Sequence, residues 1–257
     1  MNKDGHSSTD TVLYGPVSSR RYGVTLGVNP MPRTKKLCNY NCVYCQLGWT
    51  PAQQTGWTSD LDLFVQEEEL NEAFAKAPPS SLTDVDALMI CGNGEPTLHP
   101  RFEEFVDALM AERDARMPGC PVICLTNGTR LSKEEVRRAL SRLDSVAVKL
   151  DAGAYEGLRR VNMPRGPVDL LALGRAVKTL PHPVIQACFV DGAVSNHGEA
   201  ALAAWLEALK FIRPRKVEIY SVSRPPPSRK IRAVPLRRLE EIARRVREEL
   251  SLAAEAY

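Results

Sequence analysis

The sequence predicts an α/β fold: a partial (β/α)6 barrel with parallel strands. Three observations carry this. Short apolar runs alternate with longer amphipathic ones from residue 22 to residue 250. The links between them are short, which calls for parallel strands with crossover helices on the outside. Six such units are too few for the usual eight-stranded barrel, so the sheet is expected to stay open.

The elements are read in order. A strand over residues 22–28 is followed, beyond a cysteine-rich loop, by a helix over 67–77. Residues 86–91 form a strand that ends in Gly92-Asn-Gly-Glu-Pro96. The stretch 101–116 carries Phe102, Phe105, Leu109 and Met110 at helical spacing. A strand over 121–125 ends in Thr126-Asn127-Gly128, and Ser132 with Glu135 has the pattern of a capping box opening the next helix. The strand over 145–150 ends in Asp151, with a helix over 168–179 after it. Strand 183–190, helix 199–211, strand 216–220 and helix 235–250 complete the series. Arg224-Pro-Pro-Pro-Ser228 is a stiff connector before the last helix. Residues 1–12 are expected to be a disordered tail. Residues 13–257 are long enough to bury one ample core.

Composition narrows the class. An apolar content of 44% with 25% charged residues suits a globular protein. No apolar run approaches the roughly 18 residues of a membrane span, and the polar Met1–Asp10 segment lacks the apolar core of a signal peptide. No membrane partner and a cytoplasmic location are therefore expected. Seven cysteines in such a chain read as metal ligands or buried thiols rather than disulfides. The net charge of +3 is modest, but arginines and lysines crowd residues 213–247. They suit either phosphates on a nucleic acid or helical pairing with Glu240, Glu241, Glu248 and Glu249.

The chemistry concentrates in Cys38-Asn-Tyr-Asn-Cys42-Val-Tyr-Cys45, a Cys-x3-Cys-x2-Cys loop. Three thiolates within eight residues can hold a metal centre, one ligand short of a closed site. Soft thiolates suit an iron–sulfur cluster. The alternative is zinc completed by a distant residue, but no histidine lies within 30 residues of the loop. Cys91, Cys120, Cys124 and Cys188 are scattered in apolar runs and read as buried thiols, with Cys91 or Cys188 a candidate hydrogen donor. The glycines of the 92–96 turn allow close backbone approach, and Glu95 suits a cationic amine. Asn127, Lys149, Asp151 and Gln186 stand in or just after successive strands. There they serve either a polar ligand or structural hydrogen bonds. Tyr220 ends the sixth strand. No general acid or base stands out.

Together, the cysteine loop, the six-unit alternation and Gly-Asn-Gly-Glu-Pro resemble the radical S-adenosylmethionine (radical SAM) superfamily. The resemblance implies a [4Fe–4S] cluster on Cys38, Cys42 and Cys45, whose open iron binds the amine and carboxylate of SAM. It places Tyr44 near the adenine, and Gly92, Asn93, Gly94, Glu95 and Pro96 beside the amino group. Asn127, Lys149, Asp151 and Gln186 would meet the carboxylate and ribose. The implied enzyme takes one electron from an external reductant and cleaves SAM to a 5′-deoxyadenosyl radical. That radical abstracts a hydrogen atom from a substrate, and the cluster is oxygen-sensitive.

Tyr14-Gly-Pro-Val-Ser-Ser-Arg-Arg-Tyr-Gly23, Leu26-Gly-Val28 and Val148-Lys-Leu-Asp-Ala152 look like small radical SAM proteins related to the tRNA wyosine-base synthases. The chain lacks those enzymes' N-terminal cysteines for a second cluster and their flavodoxin-like domain, so the kinship transfers SAM chemistry rather than substrate. tRNA or another RNA is the first substrate expected. A peptide or small metabolite is the second, and a non-catalytic iron–sulfur protein is the reading from another class. Arg20 and Arg21 suit an anion or a plain surface pair.

Overall fold

A computed structural model describes residues 11–52 and 58–257. Most of the expected tail lies outside the described residues. Val12 does not: it is buried in the main core, and its carbonyl accepts from Asn29 N at 2.8 Å. It belongs to the folded domain.

Six parallel strands run in sequence order across one sheet: β2 (Gly23–Val28), β3 (Ala87–Ile90), β4 (Val122–Thr126), β5 (Ser145–Lys149), β6 (Val184–Gly192) and β7 (Lys216–Ser221). The expected partial barrel of parallel strands is thus present and open. The sequence reading missed both edges. β1 (Leu13–Ser19) makes an antiparallel hairpin with β2, and β9 (Ala254–Ala256) adds in parallel to β7. A short β8 (Ile231–Ala233) pairs antiparallel with the end of β6. The Ala-Glu-Ala of β9 has weak strand propensity, so only pairing with β7 makes it a strand.

Outside the sheet lie α1 (Glu67–Lys76), α2 (Pro79–Leu82), α3 (Phe102–Arg116), α4 (Glu134–Leu140), α5 (Tyr155–Val161), α6 (Leu170–Val177), α7 (Glu199–Ile212) and α8 (Leu236–Leu250). The alternation of each strand divides the molecule. On β6, Ile185, Ala187 and Phe189 face the helices and join the main core, where Phe189 meets Trp205 edge-on at 5.2 Å. Gln186 and Cys188, the intervening residues, face the barrel interior with its polar groups.

One local expectation is corrected, and for the basic segment the structure shows the helical pairing that was one of the two readings. Ser132 does not cap: α4 starts at Glu134 behind Lys133, with no side-chain cap. A reciprocal capping box forms instead at α1, between Gln66 and Glu69. The α8 part of the basic C-terminal segment is largely neutralised in place. On α8, Arg237 pairs with Glu241, Arg244 with Glu248 and Arg245 with Glu249, at 3.5, 2.9 and 2.6 Å. Arg238 and Arg245 also reach Glu199 on α7.

Candidate active site

The cysteine loop lies between β2 and α1, at the carboxyl ends of the strands, where ligands gather in such sheets. It is stitched to α5 by Asn41 N to Asn162 O at 2.9 Å and Val43 N to Val161 O at 3.0 Å. It is stitched to β3 by Leu37 N to Asn93 O at 2.8 Å. Each sulfur meets a nitrogen donor. Tyr40 N is 3.4 Å from Cys38 Sγ, Asn162 Nδ2 is 3.3 Å from Cys42 Sγ, and Lys36 Nζ is 3.2 Å from Cys45 Sγ. Burial pushes the Cys42 thiol up to about 12, and the Cys38 thiol is raised further. Bare thiolates are therefore disfavoured, and a positive metal core would offset that burial.

The 92–96 turn is shaped by contact with this loop. Gly94 has φ of +151°, and a Cβ there would lie 1.7 Å from the Leu37 carbonyl oxygen, so only glycine allows the backbones to pair. Asn93 is fully buried and donates to Pro32 O at 2.9 Å, while Asn29 Oδ1 accepts from Asn93 N at 3.1 Å. Glu95 accepts from Thr97 N, Thr97 Oγ1, Thr126 Oγ1 and Asn127 N at 3.2, 2.6, 2.5 and 2.7 Å. Burial raises its pKa while those donors lower it. Four donors fill the carboxylate's acceptor sites, so Glu95 clamps the turn to the end of β4. Asn127 in turn donates to Asn39 Oδ1 in the cysteine loop at 2.8 Å.

Asp151 is a second hub. Its Oδ1 accepts from Cys188 N at 2.7 Å and faces Lys149 Nζ at 3.0 Å. Its Oδ2 accepts from the Tyr44 hydroxyl and from Asn162 Nδ2. Burial alone would lower the Lys149 pKa, but Asp151 and Tyr220 hold it above the usual lysine range. Tyr44, Lys149 and Asp151 thus meet beside Cys42. Gln186 lies elsewhere, donating to Glu218 Oε2 at 2.8 Å and to the Tyr22 hydroxyl at 3.0 Å.

Sequence reasoning missed Asn162, Lys36, Tyr22 and Glu218. Tyr22 lies in the run over residues 14–23 but its type gave it no role, Lys36 stands just before the cysteine loop, and Asn162, Tyr22 and Glu218 act through contacts distant in sequence. A charged residue inside an apolar strand was the one available signal, at Glu218.

Inside the barrel, a cavity of about 670 Å³ runs from Gly92 and Asn93 to the β1–β2 hairpin, past Cys91, Tyr14 and Tyr220. Cys91 Sγ is 2.7 Å from the Tyr14 hydroxyl. That ring fits because β2 offers Gly27, whose Cβ would lie 2.1 Å from it.

The model for the radical SAM superfamily matches residues 34–181, more than half of the chain. The chain belongs to the radical SAM superfamily. A UPF0026 protein of Synechocystis sp. is 30% identical over 222 residues, covering 86% of this chain and 79% of that protein. A UPF0026 protein of Helicobacter pylori is 35% identical over 153 residues, or 60% and 46% of the two chains. Among solved structures, TYW1 with a lysine–pyruvate adduct bound superimposes with a TM-score of 0.61 at 13% identity, over 88% of this chain and 74% of that one. Streptococcus suis SuiB bound to S-adenosylmethionine gives 0.58 at 16% identity, over 87% and 48%. These two likenesses concern the fold.

As a radical SAM enzyme, the protein uses a [4Fe–4S] cluster and SAM. Its own residues fit them. The three thiols share one loop, and Cys38 and Cys42 pack around Tyr40. Soft thiolates of this kind suit an iron–sulfur cluster. The Tyr40 hydroxyl, packed with Cys38 and Cys42, is buried without a hydrogen-bond partner, as is Asn162 Oδ1. Buried polar atoms of this kind call for a polar group beside them.

Proposed function

We propose that Cys38, Cys42 and Cys45 hold the cluster, and that SAM lies between the 92–96 turn and the group formed by Tyr44, Asn127, Lys149 and Asp151. Gln186 borders the same interior. The observation that carries this reading is the nitrogen donor at each of the three sulfurs. When bound, the cluster and SAM supply one-electron cleavage of the sulfonium and a 5′-deoxyadenosyl radical. The chain's part is to bind, orient and exclude water. Glu95 keeps the turn in shape, Lys149 offers a fixed cation to a carboxylate, and Asp151 holds Lys149 and Tyr44 in place. The cavity beside Gly92 and Asn93 receives the substrate. Anaerobic reconstitution, reduction and assay for 5′-deoxyadenosine test the reading. A fully loaded, reduced protein that yields none sinks it.

For the substrate we propose RNA, tRNA in particular. Its support is narrower than the sequence suggested, because α8 is ion-paired. Arg224, Arg229 and Lys230, in the loop after β7, have no acidic partner among the described residues. Replacing all three by glutamine is expected to weaken tRNA binding and flatten its salt dependence by about two to three in slope. Replacing Arg244 and Arg245 is expected to leave both unchanged. Equal losses in the two sets, or no tRNA binding at low salt, would refute it. A small metabolite is the second reading, favoured by a concave cavity of about 670 Å³.

A further inference from the structure

We propose that the cavity takes an oxyanion of the substrate, a phosphate or a carboxylate, and that Arg21 selects it. This rests on reading the cavity as the substrate end of the active site. The hairpin tip is built to deliver the side chain: Ser19 Oγ accepts from Arg21 N at 3.3 Å and from Tyr22 N at 3.2 Å, bending the chain between β1 and β2. Tyr22 then donates to Glu218 Oε2 at 2.7 Å, anchoring the tip against β7.

Arg21 is fixed before any ligand arrives. Its guanidinium carbon sits 4.3 Å from the Tyr220 ring centre and 5.9 Å from that of Tyr22. Only 21% of its side chain is exposed. Its carboxylate partner is poor: Glu218 is 4.0 Å away, through Nε alone, and already accepts from Tyr22 and Gln186. Lys216 Nζ, 3.9 Å from the same carboxylate, competes for its charge. Arg21 Nη1 is buried with no hydrogen-bond partner. A plain salt bridge would not leave that donor unused, since buried polar groups are almost always satisfied.

The wall around it carries the same sign. Arg20 and Arg224 also line the cavity, and none of its described lining residues is Asp or Glu. Three arginines whose nearest carboxylate, Glu218, lies 4.0 Å from Arg21 and is shared with Lys216 favour an anion, and a planar fork of donors matches phosphate or carboxylate in particular. The cavity also reaches Cys91 and Gly92. An anion held at Arg21 therefore shares a chamber with the proposed SAM segment and orients a substrate toward it. The preset guanidinium lowers the ordering cost of binding.

The test is titration of the cluster-reconstituted chain, without SAM, with inorganic phosphate and with acetate at low ionic strength, read by calorimetry. One of the two is expected to bind saturably. Phosphate binding the tighter points to a phosphorylated substrate, and acetate to a carboxylate. Arg21→Gln is expected to weaken the preferred anion about tenfold or more, as loss of one charge-assisted fork would. Arg21→Lys is expected to fall between, and Arg244→Gln to match the parent. If Arg21→Gln fails to fold, phenylglyoxal labelling of the native chain decides: the anion is expected to slow modification of Arg21. Binding of neither anion, equal binding by both Arg21 variants, or labelling at an unchanged rate would overturn the proposal. Because SAM is absent, a chain that binds the anion but forms no 5′-deoxyadenosine sinks the radical reading alone.

Discussion

Replacing Asp151 by asparagine removes one charge from the centre of the site while keeping its shape. Three of the four partners tolerate the change. The retained Oδ1 still accepts from Cys188 N, and Asn162, whose Oδ1 is unpartnered, can turn its amide to accept from the new NH2. Tyr44 can rotate its hydroxyl. Lys149 cannot adjust: its ammonium, 3.0 Å from Asp151 on a side chain 17% exposed, is left as a buried cation. Breaking a buried pair costs about 3–5 kcal/mol. The Tyr220 hydroxyl at 2.7 Å and its ring at 4.6 Å still receive the ammonium, so the low end, about 3 kcal/mol, applies. For a chain of this size that lowers Tm by about 6–12 °C. The assay is thermal unfolding under argon, followed by circular dichroism at equal iron content. Lys149→Met in the Asp151→Asn background is expected to recover at least about 1 kcal/mol relative to additivity, because it removes the stranded charge. A fall below about 2 °C, or strict additivity in the double variant, would refute the account of Asp151 as the counter-ion that holds Lys149.

Two further outcomes follow from the same structure. Burial raises the Cys91 thiol from 9.0 to about 11; its stabilising contribution is therefore full below pH 9 and lost as the pH rises from 9 to 11, an effect of order 2–3 kcal/mol. Cys91→Ala is expected to flatten the decline of stability over that range, and an unchanged decline would show that other groups govern it. Gly94→Ala is expected to part the 92–96 turn from Leu37, since its Cβ would overlap the carbonyl oxygen; iron retained per chain after anaerobic desalting should fall sharply, and retention at the parent level would mean the turn is not needed to hold the cysteine loop.

The legible part of this protein was the part written locally. Strand and helix periods are properties of a dozen neighbouring residues, so all six central strand–helix units could be read without coordinates. The edges could not. β9 is three residues of weak propensity that become a strand only because β7 offers an unpaired side. Ser132 and Glu135 match the capping pattern, yet the chain starts α4 one residue past Lys133, since a local preference worth about 1 kcal/mol yields to packing.

The cysteine triplet and the turn glycines declare their chemistry by residue type and spacing, and the structure brings both segments together with Tyr44, Lys149 and Asp151. What surrounds them was decided by folding alone. Asn162 reaches Cys42 across 120 residues, and Glu218 meets Tyr22 across 196. Glu95 looks from its motif like a free carboxylate, but contacts with Thr126 and Asn127 turn it into a clamp. The arginines of α8 suited either a basic patch or helical pairing, and carboxylates on that helix and on α7 cancel most of their charge. Among the described residues, Arg20, Arg21 and Arg224 line the cavity with no Asp or Glu in its lining. Spacing along a chain reports which groups can act together locally. Whether a charge stays free depends on what the fold places opposite it, and that partner has no address in the local sequence.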